Sequence, residues 1–406
     1  MPLQFLLIHV TLVLLICCST VFETIRLNPV IHVPGVFRSR LQVVKPPVKS
    51  RFSLFNYNFC PTEKYELIWY NASYATKETV DCFVQHMSLK SQLGEATISL
   101  SGAQLQEVSF GSLEGLEPLE KDGNRTFTRR SLLAEELSYY GYKPEVNLHF
   151  ATYDFRLSPA TNPHFNRKMK TLVEFTYEQN DNQRVTITSH SFGGFHALYF
   201  LQTRSQEWKD KYIKKFITIS TPWLGTVSSI AGLTYGYPFP GAYKDFQSKL
   251  VSLAKSFQSA YFFLPNEKAF AGLEFTKIGS SLYTGKNLRS LISYLFPNTY
   301  KIFEQLTNRT NYEIHPGVDV ICLHSAGMKT VEKINYSSFL SVLFGSPTID
   351  FGDGDDTVNR VSLEGCKIWE NNEKFSFKYE VVQGVGHQEI VEDEKVMRHF
   401  VKDYIL

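Results

Sequence analysis

Apolar residues fall in short blocks along the 406-residue chain, each closed by a glycine- or proline-rich turn. Pro29-Val30-Ile31-His32-Val33-Pro34-Gly35-Val36-Phe37 reads as a buried strand broken by Pro-Gly, and Lys214–Ser220, Val318–Leu323 and Phe377–Val382 read as further strands. Helical spacing predicts a helix over Asn162–Glu178, another from Phe195 to Leu201, and a helical stretch leading from Arg129 into a strand before Leu157. Strands that alternate with helices predict an α/β fold, with a mainly parallel sheet covered on both faces. Functional residues are then expected at the carboxyl ends of the strands.

Two regions break this rhythm. Residues 50–100 are expected to form a small insertion, with the apolar tip Leu67-Ile68-Trp69-Tyr70 lying between Cys60 and Cys82. Such a tip either tucks into the core or lies on a membrane surface. Residues 226–315 begin with a stretch rich in Gly, Ser, Phe and Tyr and of weak periodicity, which reads as a cap and mobile lid.

The first apolar run, Leu3–Cys18, has the length of a signal-peptide core and is followed by small residues at Ser19 and Thr20. Residues 1–20 are therefore expected to be removed, leaving 21–406 as one large domain that has entered the secretory pathway. No later stretch is long and apolar enough for a transmembrane helix. The charge of +2 is spread without a basic tract, which argues against a nucleic-acid partner, and 32 Phe with 22 Tyr suit either a large core or a lipid-facing surface. Cys60, Cys82, Cys322 and Cys366 remain after loss of the leader. Their spacings are too wide for a zinc knuckle, so disulfides are expected, in any of three connectivities. Sequons at Asn71, Asn124, Asn308 and Asn335 suit a glycoprotein.

The candidate chemistry centres on Thr186-Ile187-Thr188-Ser189-His190-Ser191-Phe192-Gly193-Gly194-Phe195. A β-branched run that ends in small residues and continues as a helix is the pattern of a nucleophile elbow, with Ser191 at its apex and Ser189 in place of the usual first glycine. The amide of Phe192, together with that of Val36 after the first strand, would form an oxyanion hole. The acidic segment Asp350–Asn359 does not fit a calcium loop, because Val358 stands where the obligatory glycine belongs. His387, on the loop Gly384-Val385-Gly386-His387, can serve as a base. The order Ser, Asp, His is that of α/β-hydrolase triads.

Several ordered stretches resemble the lecithin:cholesterol acyltransferase and lysosomal phospholipase A family. They are Val33-Pro34-Gly35, Ile68-Trp69, Tyr153-Asp154-Phe155-Arg156-Leu157, His190-Ser191-Phe192-Gly193, Trp208-Lys209-Asp210, Pro222-Trp223-Leu224-Gly225, Cys322-Leu323, Gly354-Asp355-Asp356-Thr357-Val358, Cys366 and His387. The resemblance implies an α/β-hydrolase core, a disulfide-closed membrane-binding subdomain and a cap with a lid. It also implies the pairs Cys60–Cys82 and Cys322–Cys366, and a triad of Ser191, Asp355 and His387. Ser189, Thr221 and Val36 depart from the family pattern, and the cap is its least similar part.

The expected reaction is acyl transfer from glycerophospholipids to water or a lipid alcohol through an acyl-enzyme on Ser191, with no metal or organic cofactor. Trp69 and Tyr70 would hold a monomer on a phospholipid membrane or lipoprotein surface, in a secreted or lysosomal setting. A neutral-lipid esterase and a non-catalytic lipid-binding protein are the rival readings. Indifference to the headgroup marks the first of these, and indifference to loss of Ser191 marks the second.

Overall fold

The computed structural model describes residues 27–47, 60–69, 71, 76, 78–93, 96–116, 131–236, 244–306, 312–344 and 347–406. The expected leader 1–20, Tyr70, Asn124 and Asn308 lie outside the described residues.

Strand β1 (Val30–Val33) enters the centre of the molecule. The chain then builds a small antiparallel sheet from β2 (Leu41–Lys45), β3 (Leu67–Trp69), β4 (Leu89–Leu93), β5 (Ala96–Ser99) and β6 (Gln104–Glu107), in the order β3-β2-β6-β5-β4. It returns to the core as β7 (Leu148–Phe150), β8 (Val185–His190) and β9 (Ile213–Ile219). A long excursion contains β10 (Thr276–Ile278) and β11 (Ser281–Tyr283). The remaining strands are β12 (Val320–Ala326), β13 (Met328–Tyr336), β14 (Thr348–Gly354) and β15 (Phe377–Gln383). The central sheet has the order β15-β12-β9-β8-β1-β7, and every pairing in it is parallel. With helices packed on both faces, this is the α/β-hydrolase fold.

Period-2 alternation explains why the sheet needs two covering layers. Ile31 and Val33 of β1 join one apolar core with Ile187 and Phe216, while Val30 joins the other with Ile217, Ile219 and Phe150. The helix Pro163–Gln179 buries Phe165, Met169, Val173 and Thr176 on one stripe, begins with Pro at its first position and is capped by Asn162. The expected elements therefore recur within a few residues of where the sequence places them.

Residues 226–306, of weak periodicity in the sequence, hold regular elements. They form helices at Val227–Thr234, Lys244–Ala254, Gln258–Phe262, Leu288–Leu295 and Tyr300–Leu306, plus the β10–β11 hairpin. Each helix is short and carries a single apolar group, such as Leu288, Leu291 and Ile292, so no long window shows a period. In the acidic segment, Asp350 and Asp353 belong to β14, paired antiparallel with β13 in a second small sheet of order β11-β10-β13-β14. A third apolar core, with Ile230, Phe270, Leu291, Ile334 and Tyr336, joins these pieces.

Two histidines, His32 on β1 and His196 on the helix Gly193–Gln202, are buried with no opposite charge beside them. His32 bonds through Nδ1 to Thr188 Oγ1 at 3.0 Å, and His196 lies fully buried among Tyr153, Phe165 and Phe192. Burial pushes the pKa of each down from 6.5 to about 3. Below pH 6.5 the unfolded chain takes up protons that the folded chain refuses, so stability is expected to fall as pH drops from about 6.5 towards about 3. His196→Phe should therefore gain stability relative to wild type at pH 4.5 compared with pH 7.5, by about 2 kcal/mol in urea titrations. An equal difference at both pH values would refute this account.

Candidate active site

Ser191 follows β8 directly, and its φ of +51° marks the strained turn in which strand gives way to the helix Gly193–Gln202. Gly193 has no alternative, since a Cβ there would lie 2.2 Å from the carbonyl oxygen of Val33. This contact brings the end of β1 against the elbow. Ser189, the departure from the usual glycine, fits: it is fully buried, with Oγ 3.4 Å from the Ile217 carbonyl.

His387 lies on the loop after β15. Its Nε2 is 2.9 Å from Ser191 Oγ, and its Nδ1 is 2.6 Å from Asp355 Oδ2. Because an ionised carboxylate only accepts, Nδ1 carries the proton and Nε2 is free to accept from the serine hydroxyl. The other oxygen of Asp355 accepts from the amides of Val358 at 2.7 Å and Thr357 at 3.2 Å, and the Asp355 carbonyl accepts from the His387 amide at 2.6 Å. Both the carboxyl group and the histidine backbone are thereby fixed. Asp355 does not follow β12 directly, because the β13–β14 hairpin intervenes and delivers it at the end of β14.

The electrostatics favour the imidazolium. Burial works against the charge on His387, but the Asp355 carboxylate outweighs it and Asp356 adds to it, so the pKa lies above 6.5. Asp356 has φ of +75° and abuts the loop before His387, where a Cβ on Gly386 would come within 2.3 Å of its Oδ2. Burial is the largest influence on Asp356 and raises its pKa.

Val36 and Phe192 flank the serine, and among the described residues neither amide donates to a protein acceptor. The neighbouring Gly35 is close enough that a Cβ would meet Ser191 Cβ at 3.2 Å. Trp69 takes the tucked placement rather than the surface one. It is 7% exposed, packs against Phe155 and Phe83, and donates its indole N–H to the Phe37 carbonyl at 2.8 Å. It therefore makes no surface anchor here; it fastens the loop that carries Val36. The large aromatic body is buried because Phe37, Phe155 and Phe83 surround it on the inner side of the small sheet.

Sequence reasoning missed His190. This ring, 3% exposed, donates from Nε2 to the His387 carbonyl at 2.9 Å, and burial together with the nearby His387 holds its pKa far below 6.5. Its place beside the serine in the elbow was the available signal. The disulfides Cys60–Cys82 and Cys322–Cys366 are present, with Cα separations of 5.3 and 6.6 Å. Asn71 and Asn335 are half-buried, and their amides are engaged by the Leu67 carbonyl and the Asp350 carboxylate. Among the described residues no group of three or more His, Cys, Asp or Glu is placed to hold a metal. No helix of the described residues is long and apolar enough to cross a membrane.

Comparison with known proteins adds a family. The model of the lecithin:cholesterol acyltransferase family matches residues 65–288 and 283–395. The chain is 27% identical over 397 residues to the lysosomal phospholipase A and acyltransferase of Homo sapiens, covering 95% of this chain and 92% of the relative. It is 27% identical over 338 residues to the phosphatidylcholine-sterol acyltransferase of Gallus gallus, covering 81% and 79%. Among solved structures, the Tle4–Tli4 complex aligns with 93% of this chain and 98% of its own at 12% identity and a TM-score of 0.49, a likeness too loose to bear on function.

Proposed function

The chain belongs to the lecithin:cholesterol acyltransferase family, and from that premise we propose that it is a serine-dependent lipid acyl hydrolase and acyltransferase acting on glycerophospholipids. The observation that carries the reading is the continuous hydrogen-bonded chain from Asp355 through His387 to Ser191, at 2.6 and 2.9 Å. His387 Nε2 takes the serine proton as Oγ attacks the ester carbonyl. The amides of Val36 and Phe192 receive the developing oxyanion, each worth about 3 kcal/mol in comparable sites. Collapse expels the lysolipid alkoxide, which takes the proton back from His387, and leaves an acyl-enzyme. A second nucleophile, water or a lipid alcohol, gives its proton to His387 and releases the acyl group.

Ser191 is 5% exposed and His387 8%, and Phe262 and Phe263 pack over Phe192 at ring distances of 5.7 and 4.6 Å. In this reading residues 226–315 act as a lid that must open for a lipid to enter, and a dry site favours the alcohol over water. With Trp69 buried, surface contact passes to Tyr65 and Leu100, which are 63% and 55% exposed and belong to the disulfide-closed region. The protein then works as a monomer at a phospholipid surface in the secretory pathway or lysosome.

The test is acyl release from phospholipid vesicles containing a lipid alcohol, at pH 4.5 and 7.4. Free fatty acid and acylated alcohol together support the reading, and absence of both sinks it. A soluble ester isolates the base: because His387 must be neutral to act, kcat/KM should rise with pH through a value above 6.5. Asp356→Asn removes a negative charge beside the imidazolium and should move that limb to lower pH. A limb that stays in place, or moves upward, would contradict the assigned role of Asp356.

A further inference from the structure

The imidazole of His190 takes no part in the proton transfers of the acyl-transfer reading, yet it touches the backbone of the group that performs them. His190 closes strand β8 and is joined through its own peptide to Ser191. Its ring, 3% exposed, lies 5.1 Å from the ring of His387 between centroids. A carbonyl oxygen only accepts, so the 2.9 Å bond to the His387 carbonyl fixes the proton of His190 on Nε2. Beside Nδ1, a Cβ on Gly35 would come within 3.0 Å, so the glycine leaves the ring its place.

The loop that carries His387 needs such a hold. It contains Gly384, at φ of +72°, and Gly386, and glycine backbone is the least constrained. The His387 peptide is gripped on both sides within it, since its amide donates to the Asp355 carbonyl at 2.6 Å and its carbonyl accepts from His190. With the 2.9 Å bond from His387 Nε2 to Ser191 Oγ, these contacts close a ring. It runs from Ser191 through one peptide bond to His190, across to the His387 backbone, out along that side chain and back to the serine.

We propose that His190 is a positioning residue, whose Nε2–H holds the backbone of His387 so that the base stays within reach of Ser191. The inference deepens the acyl-transfer reading and rests on it for the role of His387 as base. Burial, with the nearby His387 adding to it, keeps the His190 pKa far below 6.5, so the ring remains a neutral donor while its neighbour takes up a proton. A misplacement of about 1 Å in such a site can cost about 10² in rate.

The experiment compares wild type with His190→Gln, His190→Met and His190→Asn on a soluble ester. Glutamine carries an N–H as many bonds from Cα as the imidazole Nε2, methionine has the same reach with no donor, and asparagine has the donor but stops one bond short. His190→Gln should keep most of the wild-type kcat. His190→Met and His190→Asn should lower kcat and kcat/KM together by about 10- to 10²-fold and leave KM in place, the mark of a group that acts on the reacting geometry rather than on substrate binding. Melting temperatures report that each variant is folded, and His190→Asn serves should His190→Met not be. Proton NMR of the same proteins without substrate gives a readout that needs no turnover. The Nδ1 proton between His387 and Asp355 should resonate far downfield in wild type and His190→Gln, and be lost to exchange in the other two. Equal kcat in His190→Gln and a folded His190→Met or His190→Asn, a loss confined to KM, or a His387 proton unchanged in all of them would overturn the proposal. A wild type inert toward the ester, with the His387 proton following the expected pattern, would sink the acyl-transfer reading and leave the hold of His190 on His387 standing.

Discussion

Ser191→Ala is expected to lower acyl release from phospholipid vesicles by about 10³-fold or more while leaving the fold in place. The substitution deletes one oxygen and keeps the Cβ, so the strained turn at φ of +51° and the contact of Gly193 with Val33 are undisturbed. What disappears is the oxygen to which the proposed mechanism assigns the acyl-enzyme, while the amides of Val36 and Phe192 survive. Loss of a nucleophile in a comparable serine hydrolase costs up to about 10⁶, with a residue of 10³–10⁴ over water left to the remaining groups. Wild-type and variant proteins should share a urea midpoint. A variant that retains more than a tenth of the wild-type rate would remove Ser191 from the mechanism and favour the lipid-binding alternative.

Arg156→Leu should give the largest loss of stability among these substitutions, about 3–5 kcal/mol in urea titrations. The Arg156 guanidinium is fully buried and meets Asp154 in two-pronged fashion, at 2.9 Å from Nε and 2.7 Å from Nη2. It also donates to Thr97 Oγ1 at 2.7 Å, to the Met87 carbonyl at 3.2 Å and to Ser99 Oγ at 3.3 Å. Its own carbonyl accepts from the amides of Gln258 and Ser259. One side chain therefore ties the small antiparallel sheet to the hydrolase core, and its backbone ties that core to the helix Gln258–Phe262. Leucine leaves the Asp154 carboxyl buried without its cation, which is why the loss exceeds that of an ordinary surface pair. Adding Asp154→Leu should recover part of the stability, because the stranded carboxyl is then gone. A single variant within about 1 kcal/mol of wild type would show that the network is dispensable.

The central sheet and the elbow were legible because they depend on local patterns. Burial on both faces writes itself as β-branched runs such as Val185–Ile187. A strand-to-helix turn needs small residues beside Ser191 whatever surrounds it, and the order of serine, acid and histidine could be read directly. The family resemblance supplied the two cysteine pairs and the preference for Asp355 over Asp356.

Tertiary structure decided which side chains meet. Trp69 lay in a stretch that suited a membrane surface equally well, and its burial follows from Phe37 and Phe155, 32 residues before it and 86 after it, which no window of sequence contains. The bond from His190 to His387 spans 197 residues. The helices between Val227 and Leu306 escaped detection because each contributes one short apolar group to a core assembled from distant strands. By itself the sequence determined the parallel α/β framework, the turn at Ser191 and the residues available for acyl chemistry, since strand and turn preferences act over a few neighbouring residues. Only the tertiary structure decided that His190 bonds His387, that Trp69 holds a loop, and that Arg156 joins three regions. Those outcomes rest on hydrogen bonds and close packing between residues far apart along the chain, where geometry rather than composition selects the partner.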